Sequence, residues 1–361
     1  MEKLFSVFPK QYKQFFLKKP NLNFKNIIKQ NNNRINNISL LSYNILASGY
    51  TSPSVYYYVK PDYLDDEHRL NMITFDLLST NSDIICLQEV EKKSFDSHIS
   101  KTLINYEGIY SKRVGLNCDG LAILYKKELF NKVDFYTIDL NKCDSNSKIH
   151  IPSFVKNLIK TNNIAQILIL EPLTKAMKES IDYLIVVNIH LHWDPTKEII
   201  KYLQMSEILN RVHDLREEIK LDESYKKKNP IFICGDFNST PESNVLNLTK
   251  NLCTSTINKN LSNINNLSYS EINITNLFHE IKKNTHNLNL FDPHCETDKS
   301  YFTNIKSDFK EKIDYILYSE DFKFNSIDIS NIELEEYVSE IGLPNSFHGS
   351  DHIFVMSRFY L

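Results

Sequence analysis

A short apolar run that ends in a glycine, an acid and an amide constrains this chain more than any other stretch. Residues Ile231 to Cys234 predict a buried strand, and Gly235 permits a sharp exit from it. Asp236 and Asn238 lie two positions apart, so in an extended chain both side chains point the same way at the carboxyl end of the strand. A carboxylate there can orient and deprotonate a water, and the amide can donate to a phosphoryl oxygen. Taken alone, the run fits a turn with an Asx cap that opens a helix better than it fits a catalytic site. The polar residues at other strand ends favour phosphodiester chemistry.

Composition limits the class of protein. The chain has 361 residues, a formal net charge of -3 and 42% hydrophobic residues, as expected of a soluble globular protein with a sizeable core. The nearly neutral balance disfavours a protein that coats DNA through a broad basic face. The 6 cysteines are scattered without a CxxC pair, which indicates a reducing compartment without a disulfide frame or structural zinc. No apolar run approaches the length of a membrane span, so we expect no membrane partner.

The chain divides into a basic leader and one catalytic domain. Residues 1–38 predict a disordered leader or a targeting segment, because they are rich in lysine and contain a single acid, Glu2. We expect a cytoplasmic protein, with a mitochondrial location as the alternative that the basic leader allows. The domain over 39–361 contains an asparagine-rich stretch around 254–290, which reads as a low-complexity insertion where we expect no chemistry.

Strands and helices alternate through the domain and predict an α/β fold. Apolar residues recur at helical spacing from Lys197 to Ile219 and predict a long amphipathic helix. Strands are predicted over Ser39–Leu46, Asp83–Leu87, Leu121–Tyr125, Tyr183–Ile189, Ile231–Cys234, Ile313–Leu317 and Ile353–Met356.

Most of these strands carry, end in or follow polar residues that can bind metal or phosphate. In α/β folds, ligands gather at the carboxyl ends of strands. Each residue alone has a structural explanation, such as a helix cap for Glu89 or a core position for His190, but together they favour an active site. The polar residues are Asn44, Glu89, Asn188, His190, Asp236, Asn238, Asp314, Asp351 and His352.

Metal-assisted hydrolysis is the chemistry that these residues suggest. Glu89 supplies a hard oxygen ligand for Mg²⁺, and the absence of a Cys/His cluster disfavours zinc. Asp236 would position the attacking water. His352, held by Asp314, would neutralise charge on the phosphoryl oxygens. Further donors to those oxygens are predicted to be His190, Asn44 and Asn238.

Seven sequence blocks, in this order, resemble the endonuclease/exonuclease/phosphatase superfamily. They are SYNILA, LQEVE, DGLAILYKK, NIHLHWDP, GDFNSTPES, KIDYIL and SFHGSDHI. The resemblance covers Ser39 to the C-terminus and implies the DNase-I-like fold, a four-layer α/β sandwich of two packed mixed β-sheets flanked by helices. It is strongest to the carbon-catabolite-repressor type of messenger-RNA deadenylase and to nocturnin, angel and the 2′,5′-phosphodiesterases.

The resemblance also implies roles for the polar residues. It makes Glu89 the ligand of one or two Mg²⁺ ions, with Mn²⁺ as a possible substitute, and Asp236 the water activator. The residues that would complete the catalytic site are Asn44, His190, Asn238, Asp314, Asp351 and His352.

Two further matches bear on the substrate. Pro195 and Phe309 match positions that sandwich an adenine in the deadenylases, and Asn188 is placed on the substrate side. The implied function is a Mg²⁺-dependent 3′–5′ exoribonuclease that releases AMP from adenylate-rich RNA 3′ ends. The alternatives are a 2′,5′-oligoadenylate phosphodiesterase and a nucleotide or cyclic-phosphate phosphatase of the nocturnin and angel type. The expected partner is an RNA 3′ end or an adenylate oligonucleotide.

The chain also departs from the deadenylase pattern. Residues 1–38 are too short for the leucine-rich repeats of the deadenylase-complex subunits, so we expect no complex assembly through such repeats. The family's tryptophan-tyrosine-arginine style segment is represented by Tyr63 to Arg69, which keeps only the arginine end.

Overall fold

The computed structural model describes residues 37–143, 151–221, 227–249, 269–293, 302–324 and 342–361. The predicted leader, apart from its last two residues, and part of the asparagine-rich stretch lie outside these ranges. Among the residues that are described, no helix is long and apolar enough to cross a membrane.

Each of the seven predicted strands overlaps an observed strand, and several further strands are present. The first seven are β1 (Asn37–Asn44), β2 (Ile84–Glu91), β3 (Tyr106–Lys112), β4 (Asp119–Lys126), β5 (Phe130–Asp139), β6 (Ile164–Pro172) and β7 (Leu184–His190). The others are β8 (Ile231–Asp236), β9 (Leu290–Phe291), β10 (Asn304–Ile305), β11 (Lys310–Glu311), β12 (Asp314–Ser319), β13 (Lys323–Phe324) and β14 (Val355–Tyr360).

Helices connect these strands. They are α1 (Pro61–Leu64), α2 (Asp66–Thr80), α3 (residues 92–102), α4 (Ser153–Leu158), α5 (Lys175–Ser180), α6 (Glu198–Lys220), α7 (Asn244–Thr249) and α8 (Tyr269–Lys283). Here α3 comprises Lys92–Ser94, a π-helical turn over Phe95–Ile99, and Ser100–Thr102. Short 3-10 helices cover Ser48–Tyr50, Leu140–Lys142 and Pro195–Lys197.

Two six-stranded mixed sheets form the body, in the orders β13-β14-β1-β2-β4-β3 and β5-β6-β7-β8-β12-β9. Side chains such as Cys86 of the first sheet and Cys234 of the second form one core between them. Helices α2 and α3 pack on the outer face of the first sheet, and α6, α7 and α8 pack on the outer face of the second. The predicted four-layer α/β sandwich is thereby confirmed, and the long predicted helix is α6.

The register of the second sheet brings polar strand ends together. Strands β7 and β8 run parallel, with His190 beside Asp236. Strand β12 runs antiparallel to β8, with Asp314 opposite Asp236. In the first sheet, β1 runs parallel to β2, so the carboxyl ends of both strands also point to one edge.

The sequence pattern did not indicate β3, β5 or β6. Most side chains of β3 and β5 are exposed or half-buried, so these strands lack the apolar run of a central strand. Strand β6 is almost wholly buried and mostly apolar, a pattern that periodicity alone does not distinguish from a buried helical segment.

Candidate active site

Two carboxylates from different sheets meet at one edge of the sandwich. Glu89 comes from β2 and Asp236 from the end of β8. The Asn44 side chain, at the end of β1, lies between them: its Nδ2 donates to Glu89 Oε1 at 3.0 Å and to Asp236 Oδ2 at 3.0 Å. One amide therefore fixes the separation of the two acids.

A β-bulge aims Glu89 at this site. The ladder between β2 and β4 shifts register between Gln88 and Val90, and Glu89 has a φ of 56°. Positive φ is uncommon for a residue other than glycine, and bulges are enriched beside active sites, where they redirect a side chain. The backbone N–H of Ala47 donates to Glu89 Oε2 at 3.0 Å and holds the redirected carboxylate.

Asp236 is held by the turn that follows β8. A Cβ at Gly235, whose φ is 144°, would lie 1.9 Å from Ile189 O, so only glycine allows β7 and β8 to approach this closely. The Asn238 N–H donates to Asp236 Oδ1 at 2.8 Å. The sequence argument assumed an extended chain, but Asn238 has a φ of 47° and its Nδ2 donates to Leu191 O at 3.0 Å.

Two histidines face Asp236. His190 Nε2 lies 3.6 Å from Asp236 Oδ2, and His352 Nε2 lies 3.7 Å from the same oxygen. His352 Nδ1 lies 2.8 Å from Asp314 Oδ2, so the structure contains the carboxylate–imidazole pair that the sequence predicts.

The environment sets different charges on these groups. Burial, with the nearby Asp314 carboxylate, raises the pKa of Asp236 to about 7. Burial opposes the charging of His352, but Asp314 and Asp351 outweigh it and raise the pKa of this histidine to about 10. Burial lowers the pKa of His190 well below its ordinary value, so that this imidazole is neutral near neutral pH. The site thus combines one cationic and one neutral imidazole.

Asp351 has partners that the sequence did not suggest. Its Oδ2 accepts from Tyr56 Oη at 2.9 Å and from Asn304 Nδ2 at 3.2 Å, and lies 3.1 Å from Lys306 Nζ. Burial alone would raise the pKa of Asp351, but His352 and Lys306 outweigh it and lower this pKa to about 2.

The buried Arg69 connects the two loops that carry site residues. Its Nε donates to Gly349 O at 2.8 Å and its Nη2 to Ile45 O at 2.8 Å, with a further short contact to Leu46 O. The loop after β1 and the loop before β14 are therefore held together by one guanidinium.

The structure gives Asn44 a positioning role. The sequence places its amide on the phosphoryl oxygens, but both Nδ2 hydrogens are used on the two carboxylates, and Oδ1 accepts from Leu46 N at 3.0 Å.

Asn188 lies between the sheets instead of facing substrate. Its Nδ2 donates to Leu87 O and to Ala122 O, each at 3.0 Å, and its Oδ1 accepts from Gln88 Nε2 at 2.8 Å. This fully buried side chain is not in the cavity wall, because its polar atoms are used within the sandwich.

Three of the acids and both histidines line one cavity of about 1640 Å³: Glu89, Asp236, Asp351, His190 and His352. Both predicted adenine-binding residues line it: Pro195 begins a 3-10 helix, and Phe309 is 41% exposed on the loop between β10 and β11. Part of the wall comes from α8, through residues that include His279 and Lys282. The described part of the asparagine-rich stretch therefore borders the same cavity, and the expectation that it holds no chemistry stays a prediction.

A model of the Endonuclease/Exonuclease/phosphatase family matches residues 41–352. The chain belongs to this family. Among curated proteins, the CCR4-Not complex 3′-5′-exoribonuclease subunit Ccr4 of Schizosaccharomyces pombe is 28% identical, over 89% of this chain and 49% of its own length. The probable Ccr4 of Vairimorpha ceranae is 32% identical, over 89% of this chain and 63% of its own length. The chain thus spans less than two thirds of the length of these relatives.

Solved structures of the family share the fold. ANGEL2, described as a 2′,3′-cyclic phosphatase, matches with a TM-score of 0.68 at 22% identity, over 90% of this chain and 96% of that one. The human Nocturnin catalytic domain matches with a TM-score of 0.57 at 19% identity, over 90% of this chain and 94% of that one.

The site residues fit a hard divalent cation such as Mg²⁺. Four carboxylates converge on two groups that carry positive charge, His352 and Lys306, and buried charge of this kind needs compensation. Within the described part of the chain, Asp314 Oδ1 and Asp351 Oδ1 are buried and have no hydrogen-bond partner. Oxygen donors of this type are the ligands that Mg²⁺ prefers. Three of the four acids, Asp236, Asp314 and Asp351, are buried, and the fourth, Glu89, is partly buried.

Proposed function

We propose that this chain is a Mg²⁺-dependent phosphodiester hydrolase, a 3′–5′ exoribonuclease that releases AMP from adenylate-rich RNA 3′ ends. The observation that carries the proposal is the pair of acids bridged by Asn44 in a cavity that also holds Pro195 and Phe309. The curated relatives named as 3′-5′-exoribonucleases support it.

The side chains have distinct roles in this reaction. Glu89 and Asp236 would hold the cation, which when bound neutralises charge on the phosphoryl group. The Asp236 carboxylate would also position the attacking water and accept its proton. His352 is cationic and fixed by Asp314, so it can stabilise charge that develops on the phosphoryl oxygens. The neutral His190, 3.6 Å from Asp236, can donate one hydrogen bond to the same group.

Pro195 and Phe309 would select the terminal base. Both line the cavity with the catalytic groups, and an exposed aromatic face there can stack on adenine. Stacking of a base on an aromatic side chain contributes about 1–3 kcal/mol.

The test uses purified protein with Mg²⁺, or with Mn²⁺ in its place, on end-labelled adenylate oligomers with 3′,5′ or 2′,5′ linkages. Stepwise loss of AMP from the 3′,5′ oligomer, slower on uridine ends, is the expected result. Cleavage of the 2′,5′ oligomer alone would identify a 2′,5′-oligoadenylate phosphodiesterase. Release of inorganic phosphate from nucleotides or cyclic-phosphate ends, with the oligomers left intact, would identify a phosphatase. Either result would overturn the exoribonuclease proposal.

Glu89→Ala tests the metal-binding role. We expect metal-dependent turnover to be lost, because the variant removes one of the two bridged carboxylates. Glu91→Ala is the matched control, since Glu91 lies on the same strand but outside the cavity wall. If Glu89→Ala is as active as Glu91→Ala, Glu89 does not bind the metal and serves only to hold the loop at Ala47.

Partner and location are also proposals. We propose an RNA 3′ end or adenylate oligonucleotide as the partner. The Ccr4 relatives are named as CCR4-Not complex subunits. Assembly without leucine-rich repeats therefore stays a prediction. A cytoplasmic location, with a mitochondrial one as the alternative, is testable by imaging tagged chains with and without residues 1–38.

A further inference from the structure

The single tryptophan of the chain is exposed in the wall of the catalytic cavity. Trp193 is 69% exposed, although an indole is among the side chains that gain most from burial. It precedes Pro195 by two residues, so the two Cα atoms are at most about 7 Å apart. That distance is comparable to one nucleotide step of an extended single strand.

The backbone around Trp193 is anchored. The His192 N–H donates to Gln204 Oε1 of α6 at 3.0 Å. Asp194 Oδ1 accepts from Thr196 N at 2.9 Å and from Thr196 Oγ1 at 2.6 Å. The His192 ring lies beside the indole, with centroids 6.0 Å apart. An aromatic side chain on an anchored backbone loses little conformational freedom when a ligand stacks on it.

The cavity has room for more than one nucleotide. Its volume of about 1640 Å³ exceeds the roughly 300–1,000 Å³ of pockets that enclose one drug-sized ligand. Its wall also includes His279 and Lys282 of α8, and a lysine there can neutralise a phosphate.

We propose that Trp193 forms a second base-stacking position, which holds the penultimate nucleotide of the RNA while the terminal base lies between Pro195 and Phe309. The proposal rests on the proposed exoribonuclease function and extends it from a terminal nucleotide to a dinucleotide unit. Because every base has a π face, this second position tolerates any base, and selection for adenine stays with the terminal position.

Fluorescence of the single indole tests the proposal directly. In EDTA, where the oligomers are not cleaved, we expect a dinucleotide and a trinucleotide of adenylate to quench Trp193 and AMP to leave it unchanged. Binding of each probe is measured in parallel by equilibrium dialysis. An unchanged signal with a bound trinucleotide would overturn the proposal, and so would equal quenching by AMP.

Variants give a second measurement. Trp193→Ala should raise KM for adenylate oligomers about 5- to 150-fold, while the inhibition constant of AMP stays as in the wild type. Trp193→Phe should retain most of the affinity, because it keeps an aromatic face. Ile104→Ala is the matched control, since Ile104 is also 69% exposed but does not line the cavity. An equal rise in the AMP constant would place the indole in the terminal-base site and overturn the proposal.

The two proposals fail separately. If the wild type does not shorten adenylate oligomers with Mg²⁺, the exoribonuclease function is wrong, whatever the fluorescence shows. If the wild type shortens them and Trp193→Ala has the KM of the Ile104→Ala control, only the second stacking position is wrong.

Discussion

Asn44 offers the sharpest test of how the two acids are held. Its Nδ2 makes two hydrogen bonds of 3.0 Å to carboxylate oxygens. Hydrogen bonds to charged groups contribute about 1.5–3 kcal/mol each. Because Glu89 is only partly buried, we take the lower end for both, and expect Asn44→Leu to lower the free energy of unfolding in EDTA by about 3 kcal/mol.

Asn44→Asp separates hydrogen bonding from charge. It keeps the shape of the side chain but adds a third carboxylate within reach of Glu89 and Asp236. In EDTA we expect Asn44→Asp to be at least as destabilised as Asn44→Leu, because like charges repel at this distance. With Mg²⁺, Asn44→Asp should gain more stability than the wild type, since a cation that binds only the folded state stabilises it according to its affinity.

The measurement is urea unfolding of the wild type and both variants, in EDTA and in Mg²⁺ at one fixed ionic strength. Two results would refute the reasoning. An Asn44→Leu protein within about 0.5 kcal/mol of the wild type in EDTA, the usual range for surface substitutions, would mean that the amide does not bridge the acids. If Mg²⁺ stabilises Asn44→Asp no more than it stabilises the wild type, the two acids do not share a cation site.

Three other variants test separate parts of the site. Phe309→Ala should reduce the preference for adenine over uridine at the RNA end about 5- to 150-fold, and equal loss on both bases would show that Phe309 serves packing. His352→Gln should destabilise the metal-free protein most below pH 6.5, because the folded state raises the pKa of His352 from 6.5 to about 10. The difference in unfolding free energy from wild type should shrink as pH rises through about 10. A difference that does not change over this range would contradict a cationic His352. Asn188→Ala should lower the free energy of unfolding by about 2–4 kcal/mol, through lost buried hydrogen bonds, with little change in KM, and a rise in KM without loss of stability would return Asn188 to the substrate side.

The central strands and the acids at their ends could be predicted from sequence because their signal is local. An apolar run followed by Gly235 and Asp236 indicates a buried strand with a polar end, whatever the rest of the chain does. The same reasoning anticipated the pairing of His352 with Asp314, which the structure contains.

Other features depend on contacts between distant segments. The positive φ of Glu89 arises from a register shift against β4, which residue types in β2 do not encode. The bond from Tyr56 to Asp351 joins positions 295 residues apart. Asn188 carries the same strand-end signal as His190, but its hydrogen-bond partners Leu87, Gln88 and Ala122 belong to the other sheet, and β7 alone does not encode them.

The hydrogen bonds of Asn188 have a consequence for how the protein tolerates mutation. Glu89 belongs to one sheet and Asp236 to the other, so the distance between them depends on how the two sheets are seated. The Asn188 side chain, from the second sheet, forms hydrogen bonds with Leu87 and Gln88, the residues that immediately precede Glu89. These bonds fix the position of one sheet relative to the other. A core substitution that lets the sheets slide would therefore change the distance between the two acids without replacing any active-site residue.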